Sequence, residues 1–170
     1  KLKSPEDIKI LQEGGEILAS ILDDVSTLAV PGNSTLDIDD RAMELMEHYG
    51  VEPMTLGYHA QFAPRPYPAA TCVSVNDVIV HGSTNEEPVI FEEGDIVSID
   101  IVIAHKGMVV DSARTVGVGK VSKEVKQLIQ VTTKALEAGI KAAKAGNHVN
   151  DIGKAVSAAI FHIFITTKCF

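Results

Sequence analysis

Residues 94–119 read GDIVSIDIVIAHKGMVVDSARTVGVG. Two apolar runs rich in β-branched residues, Ile96–Ile103 and Met108–Val118, flank the short polar turn His105-Lys106-Gly107. Apolar runs of this length around a turn that contains glycine are typical of a β-hairpin. This segment therefore predicts an antiparallel sheet at the centre of the fold.

Each run carries one aspartate, Asp100 and Asp111. If the turn centres on His105 and Lys106, paired residue numbers sum to 211, as 100 and 111 do, and the two aspartates face each other. If the turn centres one residue later, they become diagonal neighbours on the same face. Like charges among Ile and Val are destabilising unless a shared proton, a cation or a metal ion offsets them. A divalent metal ion suits such a pair; alternatively, one aspartate faces solvent and the other pairs with Arg114.

Composition narrows the function classes. The chain has 170 residues and a net charge of −8 with no cluster of basic residues, which argues against a nucleic-acid partner. Its apolar runs are too short to span a membrane, and the N-terminal segment KLKSPEDIKI lacks the apolar region of a secretory signal. Two cysteines, Cys72 and Cys169, form no disulfide framework, so a cytoplasmic location is expected.

The remaining segments alternate helices, a loop and short strands. Ser4 before Pro5 predicts a helix start, and Ser122 predicts another, long helix to about Lys144. Residues 51–70 have no period but hold four of the seven prolines and several aromatic residues, which is typical of a binding loop. Thr71–Val75 and Val78–His81 are predicted to be short strands.

A short motif occurs twice. Gly146–Ile152 (GNHVNDI) matches Gly32–Ile38 (GNSTLDI) at four of seven positions with an offset of 114 residues, each time between two helical patterns. We expect a single domain, residues 1–170, with a first repeat at about 1–119 and a partial second repeat at about 120–165. A divergent tail follows at 161–170, and we expect the chain to be truncated within its second repeat. The alternative is that the tail packs on the sheet and the fold is complete.

Three segments together resemble the type I methionine aminopeptidases: Tyr67–Gly82 (YPAATCVSVNDVIVHG), Gly94–Asp100 (GDIVSID) and Asp111–Thr115 (DSART). The resemblance covers about residues 1–160. It implies the α+β pita-bread fold, here the first half with the opening helices of the second, as an antiparallel sheet with helices on one face. It also implies removal of N-terminal Met from peptides or nascent proteins at a site with two divalent metal ions.

The resemblance assigns roles to five residues. Asp100 matches the family's chelating metal ligand and Asp111 its bridging ligand, for ions such as Co, Mn, Fe, Zn or Mg. His81 matches a catalytic histidine that contacts the substrate amide, and Tyr67 and Cys72 match positions at the pocket for the methionine side chain.

The chain also departs from the family pattern. The remaining metal ligands of the family lie in its second repeat and are absent here, and Gln61 and Pro64 replace the Cys and Tyr that many members carry. We therefore expect an incomplete metalloaminopeptidase. The alternatives are a non-catalytic half-domain or binding fragment, or another pita-bread member such as a prolidase or aminopeptidase P relative. A homodimer through the exposed face of the half-fold is a further expectation.

Overall fold

The computed structural model describes residues 2–61, 63–84 and 86–167, with side chains described as far as residue 161. The chain forms two compact units, Lys1–Val121 and Ser122–Phe170. In chain order the elements are α1 (Pro5–Ser26), α2 (Thr35–Tyr49), β1 (Glu52–Pro53), β2 (Thr71–Val75), β3 (Ile96–His105), β4 (Met108–Gly117), α3 (Lys123–Ala142) and α4 (Val149–Thr167).

The helix starts follow from local capping. The Ser4 hydroxyl accepts from the Asp7 main-chain N–H at 3.1 Å, and the Asp7 carboxylate accepts from the Ser4 N–H at 2.8 Å. This reciprocal pair satisfies two free N–H groups at the start of α1, as predicted from Ser4. Ser34 makes the same pair of bonds at the start of α2, and Ser122 caps α3 as expected.

Strand β3 is the centre of the sheet in the first unit. β4 pairs with one edge of β3, and β1 and β2 share the other edge, all antiparallel. Lys106 and Gly107 both have positive φ angles, 48° and 79°, so they form the two central residues of the hairpin turn.

That turn sets the register of the two aspartates. Asp100 pairs with Ala113 and Asp111 pairs with Val102. The direct pairing of Asp100 with Asp111 is therefore wrong, and the other alternative, diagonal neighbours on one face, is confirmed.

The core of the first unit lies between one face of the sheet and the two helices α1 and α2. Alternate side chains of β3 are fully buried there: Val97, Ile99, Ile101 and Ile103. They pack with buried residues of the helices, including Leu18, Ile21, Leu22, Val25, Ile38, Ala42 and Met46. The other face of β3 carries Asp100, so the alternation of the strand places this carboxylate opposite the core.

The segment Val78–His81 is not a strand, so this expectation was wrong. The backbone turns at Asn76 and again at His81, which have φ angles of 55° and 59°. Between these turns Val78, Ile79 and Val80 are exposed to 46%, 86% and 61%. The apolar run therefore forms a returning loop, and its apolar character does not reflect burial in the sheet.

The turns before α2 and α4 make equivalent hydrogen bonds. The side chains of Asn33 and Asn147 each donate to the carbonyl oxygen five residues earlier, at 3.0 and 2.9 Å. The N–H that follows each asparagine donates to an aspartate, Asp37 at 2.7 Å and Asp151 at 2.8 Å. These two bonds of the first turn recur 114 residues later, which supports an internal repeat; the repeat boundaries stay a prediction.

The second unit consists of α3 and α4. Among the described residues no helix is long and apolar enough to cross a membrane. The final part of the predicted divergent tail, residues 168–170, lies outside the described residues, as does Cys169.

Candidate functional site

The site is built around Asp100 and Asp111 on the open face of the hairpin. Asp100 is half-buried and Asp111 is exposed. Burial, followed by the negative charge and hydrogen bonding of Asp111, raises the pKa of Asp100, whereas the nearby His81 opposes this shift. The two carboxyl groups therefore lie within interaction distance, and their mutual repulsion is a cost that a bound cation would relieve.

Cys72 and Tyr67 lie next to this pair. Cys72 on β2 is directly opposite Asp100 in the sheet register and is 5% exposed. Burial is the main cause that raises the pKa of both the Cys72 thiol and the Tyr67 phenol. Both groups therefore stay protonated near neutral pH, and Cys72 lacks the thiolate character of a nucleophile.

A pocket of about 560 Å³ opens beside these residues. Its volume falls in the range typical of small-molecule sites. Of the predicted site residues, Tyr67, Cys72 and His81 line it, and the remaining lining is Met54, Thr55, Tyr58, Ala60, Ala63, Arg65, Val102 and Val109. The lining is mostly apolar, so the pocket suits an apolar side chain.

The loop of residues 51–70 forms one wall of this pocket. Its two limbs are tied together, because the Tyr67 N–H donates to Tyr58 O at 2.7 Å and the Gly57 N–H donates to Tyr67 O at 2.8 Å. The Thr55 hydroxyl also donates to Ala70 O at 2.5 Å. These bonds hold the two limbs of the proline-rich loop together, and only β1 at its start pairs with the sheet among the described residues.

A second cleft, of about 790 Å³, is lined in part by Gly82. Its polar lining includes Asp77, Glu86 and Glu87, and Arg65 forms an ion pair with Glu86. It contains none of the five predicted site residues, so the smaller apolar pocket is the better candidate for the site.

Two residues that support the site were not found by the sequence analysis. Asp39 on α2 is 4% exposed, and its Oδ1 accepts from the Thr71 N–H at 2.8 Å and the Thr71 hydroxyl at 2.7 Å. Ser74, also 4% exposed, accepts from the Gly82 N–H. The helical spacing could have predicted the burial of Asp39, since it lies on the same face of α2 as Thr35, Ala42 and Met46, which are buried.

The donor set indicates which metal chemistry fits. Carboxylate oxygens such as those of Asp100 and Asp111 are suited to hard divalent ions. Within residues 2–61, 63–84 and 86–167 there is no group of three or more His, Cys, Asp or Glu side chains that could hold a metal ion. Asp100 and Asp111 are two neighbouring carboxylates, one fewer than such a group requires.

Comparisons with known proteins agree on one family. The sequence profile of metallopeptidase family M24 matches residues 9–166. Methionine aminopeptidase of Aquifex aeolicus is 40% identical over 156 residues, which are 92% of this chain and 60% of that protein. The crystal structure of Thermotoga maritima methionine aminopeptidase has a TM-score of 0.88 at 32% identity, covering 96% of this chain and 63% of that one.

A more distant match shows the fold alone: Escherichia coli aminopeptidase P has a TM-score of 0.79 at 21% identity. The fold is thus the pita-bread fold, as the resemblance implied. This chain spans about 60% of the length of the curated relatives it matches.

Proposed function

This chain belongs to metallopeptidase family M24, and we propose from that premise that it supplies part of the site of a metal-dependent methionyl aminopeptidase. The observation that carries the proposal is the placement of Asp100 and Asp111 on one open sheet face, beside an apolar pocket lined by His81. The substrate is the N-terminal Met of a peptide or nascent protein. A cytoplasmic location is part of the same proposal.

Asp100 and Asp111 would hold the divalent metal ions, Asp100 as a chelating ligand and Asp111 as a bridging one. A complete site has two ions, drawn from Co, Mn, Fe, Zn or Mg. When bound, such ions polarise a carbonyl group and lower the pKa of a bound water. Without a metal ion, the carboxylates of Asp100 and Asp111 repel each other. Binding of a cation would therefore stabilise the folded chain.

The neighbouring residues would bind and orient the substrate. The apolar lining of the pocket, with Tyr67 and Cys72, would accept the methionine side chain. The His81 imidazole, at the rim near Asp100, would hydrogen-bond the substrate amide. Tyr67 and Cys72 keep their protons near neutral pH, so they would contribute uncharged walls to the pocket.

A second candidate is a non-catalytic binding fragment with the same pocket. It is favoured by one observation: the described residues contain no group of three or more metal-ligating side chains. In this reading, two copies associate through the open face of Asp100 and Asp111, and association strengthens when divalent metal ions offset the clustered charge. An Xaa-Pro specificity, as in aminopeptidase P relatives, is the remaining alternative.

Peptide binding to the purified chain tests the proposal. We expect Met-Ala-Ser to shift the NMR signals of Tyr67, Cys72 and His81, and Gly-Ala-Ser, which lacks the apolar side chain, to leave them unchanged. Hydrolysis of Met-Ala-Ser with Mn²⁺ or Co²⁺ should stay near background, because two carboxylates leave the metal ligand set incomplete. Equal responses to the two peptides, or a response only to Ala-Pro-Ser, would contradict a methionine pocket.

A further inference from the structure

The loop after β2 comes back to that strand at Gly82. The Val73 N–H donates to the Gly82 carbonyl oxygen at 3.1 Å. On the other side of the residue, the Gly82 N–H donates to the Ser74 hydroxyl at 3.2 Å. Both polar groups of the Gly82 main chain are therefore engaged by β2, one residue after His81.

Tyr67 adds a third bond to the same residue. Its hydroxyl lies 2.8 Å from the Gly82 carbonyl oxygen and 3.3 Å from the Thr71 carbonyl oxygen. A phenol has one proton to donate, and the shorter distance favours Gly82 as the acceptor. Because burial raises the pKa of the Tyr67 phenol, this proton is present across the neutral range.

The contact is too close for any other residue at position 82. A Cβ atom built on Gly82 would lie 2.3 Å from the Val73 carbonyl oxygen and 3.0 Å from the Ser74 Cα. The preceding residue, His81, has a φ of 59°, a left-handed conformation that is uncommon for a residue with a side chain. Such a conformation persists where the surrounding contacts hold it, and the bonds to Gly82 are contacts of that kind.

We propose that the Tyr67 hydroxyl and Ser74 are positioning residues that hold the His81 imidazole at the rim of the pocket by clamping Gly82 onto β2. The inference rests on the proposed function only for what His81 does there, namely contact the substrate amide. Tyr67 would then both line the pocket and hold Gly82 through its hydroxyl group. Ser74, which is buried on the same face of the sheet, would hold Gly82 by accepting its N–H.

The test separates the hydroxyl groups from the rest of each side chain. Tyr67→Phe keeps the ring and removes the donor, and Ser74→Ala removes the acceptor. Ser74→Thr keeps the hydroxyl and serves as the rescue variant. Tyr58→Phe is the matched control, because Tyr58 lines the same pocket and is 63% exposed.

The readout is the ¹H–¹³C signal of the His81 imidazole at one fixed pH, without metal or peptide. We expect Tyr67→Phe and Ser74→Ala each to shift this signal or to split it into two. The signals of His48 and His105 serve as internal references and should not move. Ser74→Thr and Tyr58→Phe should retain the wild-type His81 signal.

An unchanged His81 signal in both Tyr67→Phe and Ser74→Ala would overturn the proposal. So would equal changes at all histidines, which would indicate a general loss of structure. The measurement uses no substrate, so it is independent of the proposed function. A failure of peptide or metal binding would refute the proposed function, but not the role of Tyr67 and Ser74 in positioning His81.

Discussion

Replacement of Asp39 by alanine should destabilise the chain more than most single substitutions. Asp39 is almost fully buried between α2 and β2, and one of its oxygens accepts both hydrogen bonds from Thr71. Thr71 itself is 0% exposed. Asp39→Ala would therefore leave a buried N–H and a buried hydroxyl without their partner, and water could not replace it without local opening.

The magnitude follows from these two bonds. A hydrogen bond to a charged group contributes about 1.5–3 kcal/mol, and an unsatisfied buried donor costs about 1–3 kcal/mol. Because the two bonds share one acceptor oxygen, we expect a total loss of about 3 kcal/mol and not their full sum. For a chain of this size, this corresponds to a decrease in Tm of roughly 6–12 °C.

Thermal and urea denaturation followed by circular dichroism would measure the effect. Asp39→Asn retains an acceptor oxygen and should lose only about 1 kcal/mol. Asp40→Ala, an exposed neighbour on the same helix, should stay within about 0.5 kcal/mol of the wild type. A loss below about 1 kcal/mol for Asp39→Ala, or an equal loss for Asp40→Ala, would refute the reasoning.

Three further predictions concern the sheet and its surroundings. In chelator, Asp100→Asn should raise Tm at pH 7, because the folded-state pKa of Asp100 is raised and its charge is destabilising there. This gain should shrink as the pH falls towards 3.8, where the wild-type carboxyl takes up a proton in both states. Gly14→Leu should lower Tm, since a Cβ at Gly14 already lies 3.3 Å from the His105 Cβ, whereas a Cβ at Gly15 meets nothing within 4 Å, so Gly15→Ala should not lower Tm. Native Cys72 should react with iodoacetamide at least about tenfold more slowly than glutathione, as mass spectrometry of its peptide would show.

The sequence predicted those parts of the fold that depend on local chemistry. The capping serines Ser4 and Ser122, the hairpin and β2 all carry their signals within a few residues. The register of the hairpin depends on which two residues take positive φ angles, and His105-Lys106-Gly107 offers two choices. Gly107 adopts a positive φ without steric cost, and with Lys106 it sets the observed turn.

The features that were predicted wrongly or missed depend on contacts between segments that are distant in the sequence. Val78–Val80 has the composition of a strand, but the bonds of Gly82 to β2 draw the segment into a loop. Aspartate is a residue type that usually faces solvent, but Asp39 is buried because Thr71, 32 positions away, donates hydrogen bonds to its carboxylate. The five site residues were named through a family resemblance, and their roles stay proposals.

Titration with Mn²⁺, followed by the loss of the free-ion signal in electron paramagnetic resonance, tests the central proposal most directly. We predict weak, saturable binding by the wild-type chain that is lost in both Asp100→Asn and Asp111→Asn. Asp40→Asn, which removes an equal charge at an exposed helical position, should bind as the wild type does. Equal Mn²⁺ uptake by all four proteins would show that general negative charge, and not the Asp100–Asp111 face, holds the ion, and would contradict the proposed metal site.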